Sequence, residues 1–406
     1  MELFALEHKR LWRTPRVWIC VLLCFIYSVV WGSFFQYQWL GFGTQNDRTD
    51  IYDHSFDGYS VIRGYQEEFS KFGDYWTDET LQKMVAEYQS YDIMEKPALQ
   101  SMGDWIVAYE CLNDLYPELK DPEGQQYQPL IFYADTTKLT DFYERRADLL
   151  EHTLEATRQN EGMSEADKQM LLDMNSQIQE PWPYEWTQGW ANGALEFGWS
   201  KLAPYLAIAL GFLFSGEWHN STAPLLHTTK FGWKKLARVK VLNGMAFALE
   251  LYALIAGGKV LLQLIYLGTT GWDLPIQYID LLAVAPWNML QAELYELAFG
   301  LIGVFGYAGL VMLMSALVKN NVMALVFSLA FVYVPDILAR YLPKWLKAAS
   351  QYLPLVGSSS DIYNYNVFHI FGKGIWSPWM LITVPLLIGM VCIPFAIRGW
   401  ARRQRV

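Results

Sequence analysis

Gly374–Ile397 runs for 24 residues without a charged side chain, and other stretches of this chain are built the same way. A helix rises about 1.5 Å per residue, so roughly 20 apolar residues cross a bilayer core of about 30 Å. Lipid offers the backbone no hydrogen-bond partners, which favours the helix, whose bonds are all internal. Val17–Phe35 supplies 19 uncharged residues and Leu297–Val318 supplies 22. Leu202–Gly216 is uncharged and extends back through Phe197, with Lys201 placed to snorkel. Val241–Leu267 is long and apolar but carries Glu250 and Lys259, and Asn320–Pro335 is shorter and runs into Asp336. Together these runs predict six spans, at 17–35, 196–216, 241–267, 291–318, 320–339 and 376–397.

Charge is distributed unevenly around them. Gln36–Glu185 holds 30 acidic and 11 basic residues, a balance of −19, while the remainder of the chain carries +9. That contrast predicts a soluble acidic domain, 36–195, inserted between spans one and two. The net charge of −10 argues against nucleic acid as a partner. Lys9, Arg10, Arg13, Arg16, Lys230, Lys234, Lys235, Arg238, Lys240, Lys319, Arg398, Arg402, Arg403 and Arg405 all fall on one side of the predicted membrane. The positive-inside rule makes that side cytoplasmic, with both termini, and places 36–195 outside. The first run has a long leading segment, and "WGSFFQ" offers no small-residue cleavage pattern, so it is expected to stay as an anchor. Trp182, Trp186, Trp190, Trp199, Trp376 and Trp379 sit where interfacial aromatic belts are expected. Cys20, Cys24, Cys111 and Cys392 show no metal or disulfide spacing and read as buried thiols.

The patterning of the acidic domain is mainly helical. "SMGDWIVAYECLNDLY" brings Trp105, Ile106, Tyr109 and Leu112 near one face, and "DFYERRADLLEHTLEATRQN" follows Thr140 with an apolar stripe. "SEAD" at Ser164–Asp167 has the form of a capping box. "PLIFYA" is the one strand-like stretch, and the aromatics of Gly58–Tyr91 read as core.

Enzyme signatures are missing. There is no HExxH, GxSxG or strand-borne GxGxxG, and no GxxxxGK[ST] loop to hold a nucleotide. No catalytic or metal-binding set is predicted, and any ATP chemistry belongs to another chain. Glu250 lies near the middle of span three, where a carboxylate is costly; it is the candidate translocation-path residue. Glu293 and Glu296 head span four, where they favour a helix N-terminus.

The stretch between spans two and three has its own pattern. "FSGEWHNSTAPLLHTTKFGWKKLARVK" offers capping residues at Ser221 and Thr222, Pro224 for a first helical turn, the apolar pair Leu225 and Leu226, and Gly232 as a break. "MELFALEHKRLWRTPR", residues 1–16, reads as an amphipathic surface helix ending at Pro15. Only "VKNNV" separates spans four and five, and 340–375 separates spans five and six on the outside, leaving 398–406 as a cytoplasmic tail.

In this order the elements resemble the permease subunit of a type-2 ABC exporter. The resemblance covers the spans and both cytoplasmic elements but not the acidic domain. Its motif falls on Glu217, Ser221, Thr222, Leu225, Leu226, Thr228 with Thr229, and Lys240; Ser221 stands where glycine is commoner, and "KFGW" replaces a Ser-Arg pair. The resemblance implies an all-α membrane protein of six transmembrane helices in the bacterial plasma membrane. It also implies a coupling helix within 217–240 docked on a separate ATPase subunit, a second permease copy, and ATP and Mg bound by that partner alone. Expected cargo is an antimicrobial peptide or hydrophobic drug moved outward. The alternatives are a membrane sensor or assembly protein that binds a ligand through its outside domain, and a sodium exporter permease.

Overall fold

The computed structural model describes residues 2–31, 59–91, 104–120, 129–191, 198–229, 232–338 and 341–402. Helices α1 (Glu2–Trp12) and α2 (Pro15–Phe25) meet at a bend of 67°. The bend falls at Thr14, which is extended, as the residue before a proline is pushed to be. A π-helical turn, Ile26–Trp31, continues α2.

The acidic region contributes α3 (Tyr59–Ser70), β1 (Tyr75–Trp76), α4 (Asp78–Ser90), α5 (Trp105–Leu115), α6 (Phe142–Glu161), α7 (Glu165–Asn175), β2 (Trp182–Pro183) and α8 (Gln188–Ala191). The Ser164–Asp167 capping box forms with both of its hydrogen bonds. "PLIFYA" is not a strand. Leu130–Phe132 is a 3-10 turn with Leu130 and Ile131 buried, held by the Gln89 amide, which donates to the Ile131 and Ala134 carbonyls. The strands that do form are a two-residue ribbon, β1 against β2.

After a 3-10 turn at Trp199–Leu202 come α9 (Ala203–Leu210), α10 (Ser215–His219), α11 (Ala223–Thr228), α12 (Lys234–Leu267), α13 (Met289–Leu317), α14 (Asn321–Ile337) and α15 (Lys344–Ser350). The hairpin β3 (Val367–Ile370) and β4 (Lys373–Trp376) leads into α16 (Ser377–Arg402).

The chain is mostly helical and has the build of a multi-pass membrane protein: α12, α13 and α16 are each long and apolar enough to cross a membrane. The bent pair α1–α2 qualifies as a fourth crossing if taken as one, and Asn321–Pro335 is apolar but shorter. The described part of the 196–216 run is not one helix. A turn at 211–214 separates α9 from α10, and the backbone N–H groups of Phe214 and Ser215 donate instead to the Ser315 hydroxyl of α13 at 3.0 and 3.1 Å. The Ser215 hydroxyl returns to the Gly211 carbonyl. A broken helix at membrane depth requires this kind of protein-supplied partner.

Helices α13 and α16 approach closely because glycines face each other. A Cβ on Gly306 would lie 2.5 Å from the Pro385 carbonyl, and one on Gly309 would lie 3.2 Å from the Gly389 Cα. Close backbone contact of this sort gains dispersion where lipid supplies no hydrophobic drive.

On the acidic side, Trp76, Phe142, Trp182 and Tyr184 pack edge-on or tilted around one another, and Tyr278 from the α12–α13 loop enters the same cluster at 5.5–6.2 Å. These rings are buried core. Trp186, Trp190, Trp199 and Trp376 are buried as well; of the tryptophans expected at a membrane interface, only Trp379 is exposed. They face protein because the α12–α13 loop and the neighbouring helices cover them, as Trp272 covers Trp190. All four cysteines are buried free thiols.

Arg146 of α6 ties this layer to the loop. It is 1% exposed, donates to the carbonyls of Leu281 (2.7 Å) and Ala283 (3.0 Å) and to Asn175 Oδ1 (2.9 Å), and lies over the Trp182 ring. Burial brings its guanidinium down to about 10, still charged at neutral pH. Replacing it by leucine leaves the Leu281 carbonyl without its donor, at roughly 1–3 kcal/mol, and leaves the Ala283 carbonyl only the Gln277 amide. Arg146→Leu is therefore expected to lower the unfolding midpoint and to speed amide exchange in 276–285; unchanged exchange in that loop would show that Arg146 does not hold it.

Candidate functional site

The stretch from Ser215 to Lys240 begins as a helical turn that cannot continue. Ser221 takes a left-handed conformation (φ 57°), and Pro224 opens the next turn, α11. The Thr222 amide donates to the Glu217 carbonyl at 2.9 Å, and the Thr222 hydroxyl donates to Glu217 Oε2. That hydroxyl is thereby spent on Glu217 and does not cap α11, as the sequence suggested it would.

Glu217 is 4% exposed and sits in a network of four charges. Lys240 Nζ, 3% exposed, donates to Glu217 Oε1 at 2.9 Å and to the Leu213 carbonyl at 3.1 Å. Arg10 Nη1 reaches the same Glu217 oxygen at 2.9 Å, and Glu7 Oε2 lies 3.3 Å from Lys240 Nζ. Two acids and two bases thus balance, drawn from α1, α10 and α12. Burial pushes the Glu217 carboxyl up, but Lys240, Thr222 and Arg10 outweigh it and hold the group at about 2.

A second set of contacts fixes α11 to the end of α16. His227, 2% exposed, stacks on Trp400 with ring centres 4.7 Å apart, flanked by Trp218 and Trp233. Burial lowers its affinity for a proton. Trp400 Nε1 donates to the Gly232 carbonyl at 3.1 Å, and Trp233 Nε1 donates to the His227 carbonyl. Position 232 admits only glycine, since a Cβ there would fall 1.6 Å from the Leu226 carbonyl.

The predicted residues therefore divide. Glu217, Thr222 and Lys240 meet in one network although Lys240 is 23 positions from Glu217. Leu226 is half-buried, while Ser221, Leu225 and Thr228 are exposed, Leu225 by 70%. Thr228 donates its hydroxyl to the Leu225 carbonyl. Sequence reasoning did not single out Glu7, Arg10 or Trp400, and it noted His227 only for its spacing from His219, not for a stacking role. The sole signal for Arg10 was membership of a basic cluster, and an aromatic near a span end has no mark that distinguishes a clasp from an interfacial anchor.

Glu250 is not in the helical interior. It is 43% exposed, accepts from Trp12 Nε1 at 2.9 Å and lies 3.2 Å from His8 Nε2, so it seats α1 along α12. Asn243 supports the same contact by donating to the Phe4 carbonyl.

Comparison of the chain with protein-family models, with curated proteins and with solved structures returns no match.

Removing one partner of a buried pair costs about 3–5 kcal/mol, whereas removing both is far milder. Glu217→Gln and Lys240→Met should each destabilise the full chain by roughly 3 kcal/mol, with the double variant well short of the sum. Additive losses in that cycle would mean the two side chains do not act together. The depressed Glu217 carboxyl adds a pH signature. Its stabilisation is complete above the ordinary value of 4.5 and is lost as pH falls toward about 2. The acid limb of the midpoint-versus-pH curve should therefore flatten in Glu217→Gln; an identical limb in wild type and variant excludes this group as its source.

Proposed function

We propose that this chain is the membrane-spanning permease subunit of an ATP-driven ABC export complex of the type-2 arrangement. The observation that supports it most directly is the construction of α11. His227 on one side of α11 stacks on Trp400 of α16, the preceding Thr222 ties its start to Glu217 of α10 and so to Lys240 and Arg10, and the other side offers Leu225 to solvent at 70% exposure. A short helix tied so firmly to long apolar helices is fitted to carry a push from outside the bundle into them. An unanchored basic loop would dissipate it.

In this proposal Leu225 and Leu226 supply the apolar contact to a separate ATPase subunit, which alone binds ATP and Mg. Force on α11 passes through Glu217 to Lys240 and so to α12, and through His227 to Trp400 and so to α16. The crossings at 17–35, 196–216 and 320–339 complete six spans, with a second permease copy alongside. The side bearing Lys230–Lys240 is cytoplasmic, and 36–195 faces outward, where its negative charge favours a cationic cargo such as an antimicrobial peptide. The chain itself carries out no hydrolysis.

The test is capture of the ATPase. Because Leu225 is exposed, Leu225→Asp should leave the unfolding midpoint of the permease nearly unchanged while weakening co-purification of an ATP-hydrolysing partner at least tenfold, the scale expected when a central apolar anchor is lost. Undiminished capture rules out α11 as the docking site, and export by the chain in vesicles without any ATPase rules out the class.

A further inference from the structure

A cleft on the acidic side of the molecule takes no part in the coupling scheme. It has a volume of about 420 Å³ and lies between the α6–α7 junction, through Glu161, Gly162 and Asp167, and the stretch running into β3, through Asn364, Asn366 and His369. Local chemistry sets its walls. Gly162 ends α6 in a left-handed conformation (φ 79°), its N–H donating to the Arg158 carbonyl, and Ser164 caps α7 two residues on. Asp167 is 5% exposed and held at both oxygens. The Ser164 backbone N–H and hydroxyl donate to Oδ2 at 3.2 and 2.6 Å, and His369 Nε2 lies 3.1 Å from Oδ1. A Cβ on Gly374 would stand 3.2 Å from the same Oδ1, so a glycine there lets the hairpin close on α7.

The cleft is negatively charged. Residues 151–168 hold five acids, Glu151, Glu155, Glu161, Glu165 and Asp167, against two bases. Both bases are engaged away from it: Arg158 pairs with Glu155 and Glu165, and Lys168 pairs with Glu151 and Glu155. Glu161 is exposed and has no ion pair among the described residues, and no described Lys or Arg lines the cleft. Lys373 stands beyond it, opposite Ile370 at the turn of the hairpin. The C-terminal end of α6, the negative pole of a 20-residue helix, borders the space. The start of α7, which would favour an anion, is already capped by Ser164 and carries Glu165 and Asp167 in its first turn.

We propose that this cleft binds an organic cation, an ammonium or guanidinium group on a flexible stem, with Glu161 as its ionic partner and Asp167 as a fixed negative floor. Among the described residues no group of three or more His, Cys, Asp and Glu side chains is arranged for a metal ion, and the cleft has the size of a small-molecule site. Asn364 donates its Nδ2 to Asp361, which leaves its amide oxygen to accept from the cation. A cationic peptide and a free polyamine both present this chemistry. Strand β4 passes directly into α16, so a ligand drawn between α7 and the hairpin acts at the start of that helix. Binding requires no ATPase; only the identification of the ligand as cargo rests on the export reading.

The experiment titrates the purified full chain, in nanodiscs of zwitterionic phosphatidylcholine, by calorimetry at constant ionic strength. One arm uses spermidine and the other a trilysine peptide blocked at both ends. Saturable binding is expected in at least one arm, and the tighter arm identifies the carrier. Glu161→Gln should weaken it about tenfold, the loss of one charge-assisted hydrogen bond, without moving the unfolding midpoint. Glu144→Gln, which removes an exposed acid from the first turn of the same helix, should leave the affinity unchanged. Asn366→Trp, which fills the cleft, should abolish binding. Absence of saturable binding in both arms, equal losses in Glu161→Gln and Glu144→Gln, or full binding in Asn366→Trp would each overturn the site. None of these readouts involves nucleotide, so a negative result leaves the export reading standing, and failure to capture an ATPase leaves the cleft standing.

Discussion

The contact between Glu217 and Lys240 is the constraint around which one end of this molecule is arranged. Both side chains are nearly inaccessible, so neither charge survives there without the other. Lys240 fixes the start of α12, Glu217 fixes α10, and Arg10 and Glu7 bring α1 to the same point. A buried ion pair is a weak source of stability compared with an apolar core of the same volume. Its effect here is on register. With two acids and two bases contributed by three separate regions, one packing of α1 against α10 and α12 pairs every member, and a slip by one residue strands a charge. Lys240 also supplies a donor to the Leu213 carbonyl at the break between α9 and α10, so the network absorbs part of the cost of interrupting that helix.

At the opposite end a cation again does the joining, but by different means. Arg146 has carbonyl oxygens and an amide as its acceptors rather than a carboxylate, and its plane lies over Trp182. Guanidinium suits this task because it presents several donors in a fixed plane and is weakly hydrated, so burial costs it less than it would an ammonium. The acidic region is thereby fastened to the loop that joins α12 to α13, and the aromatic cluster closes around Tyr278 of the same loop. Between the two fastenings, glycines let α13 and α16 pack backbone to backbone. Movement imposed at α11 meets long helices with anchored ends, the arrangement in which rigid displacement is favoured over local yielding.

Much of this was legible in the residues, and the failures share a cause. Long apolar runs announced α12, α13 and α16, and local capping chemistry announced the start of α7, because those signals depend only on neighbours in sequence. Glu217, Thr222 and Lys240 were named together through the family resemblance, since nothing in their local spacing marks them as partners. Trp182, Trp186, Trp190 and Trp199 were misread because a tryptophan near a span end looks the same whether it meets a headgroup or a Tyr278. Arg146 and Trp400 were invisible for a similar reason: their partners, 281–283 and 227–232, lie more than a hundred residues away. Gly306 and Gly309, three residues apart, did mark the side that meets α16, a signal of close helix contact that the hydropathy reading passed over.

The two acids Glu250 and Glu293 show how far position along an apolar helix differs from burial. By sequence, Glu250 stands mid-span and invites a functional role, while Glu293 near a helix start reads as favouring that N-terminus. Their azimuths reverse this. Glu250 points outward from α12, where Trp12 and His8 of the amphipathic helix satisfy it, so its requirement for partners is met by the element it anchors. Glu293 points into the contact with α12 and finds no donor there. Hydropathy averages over the circumference of a helix and cannot separate these cases; which face an acid occupies is settled only when the neighbouring helix is in place. An acid on an apolar helix whose hydrogen bonds are complete is therefore accounted for by packing, and a chemical role belongs first to the one whose bonds are not.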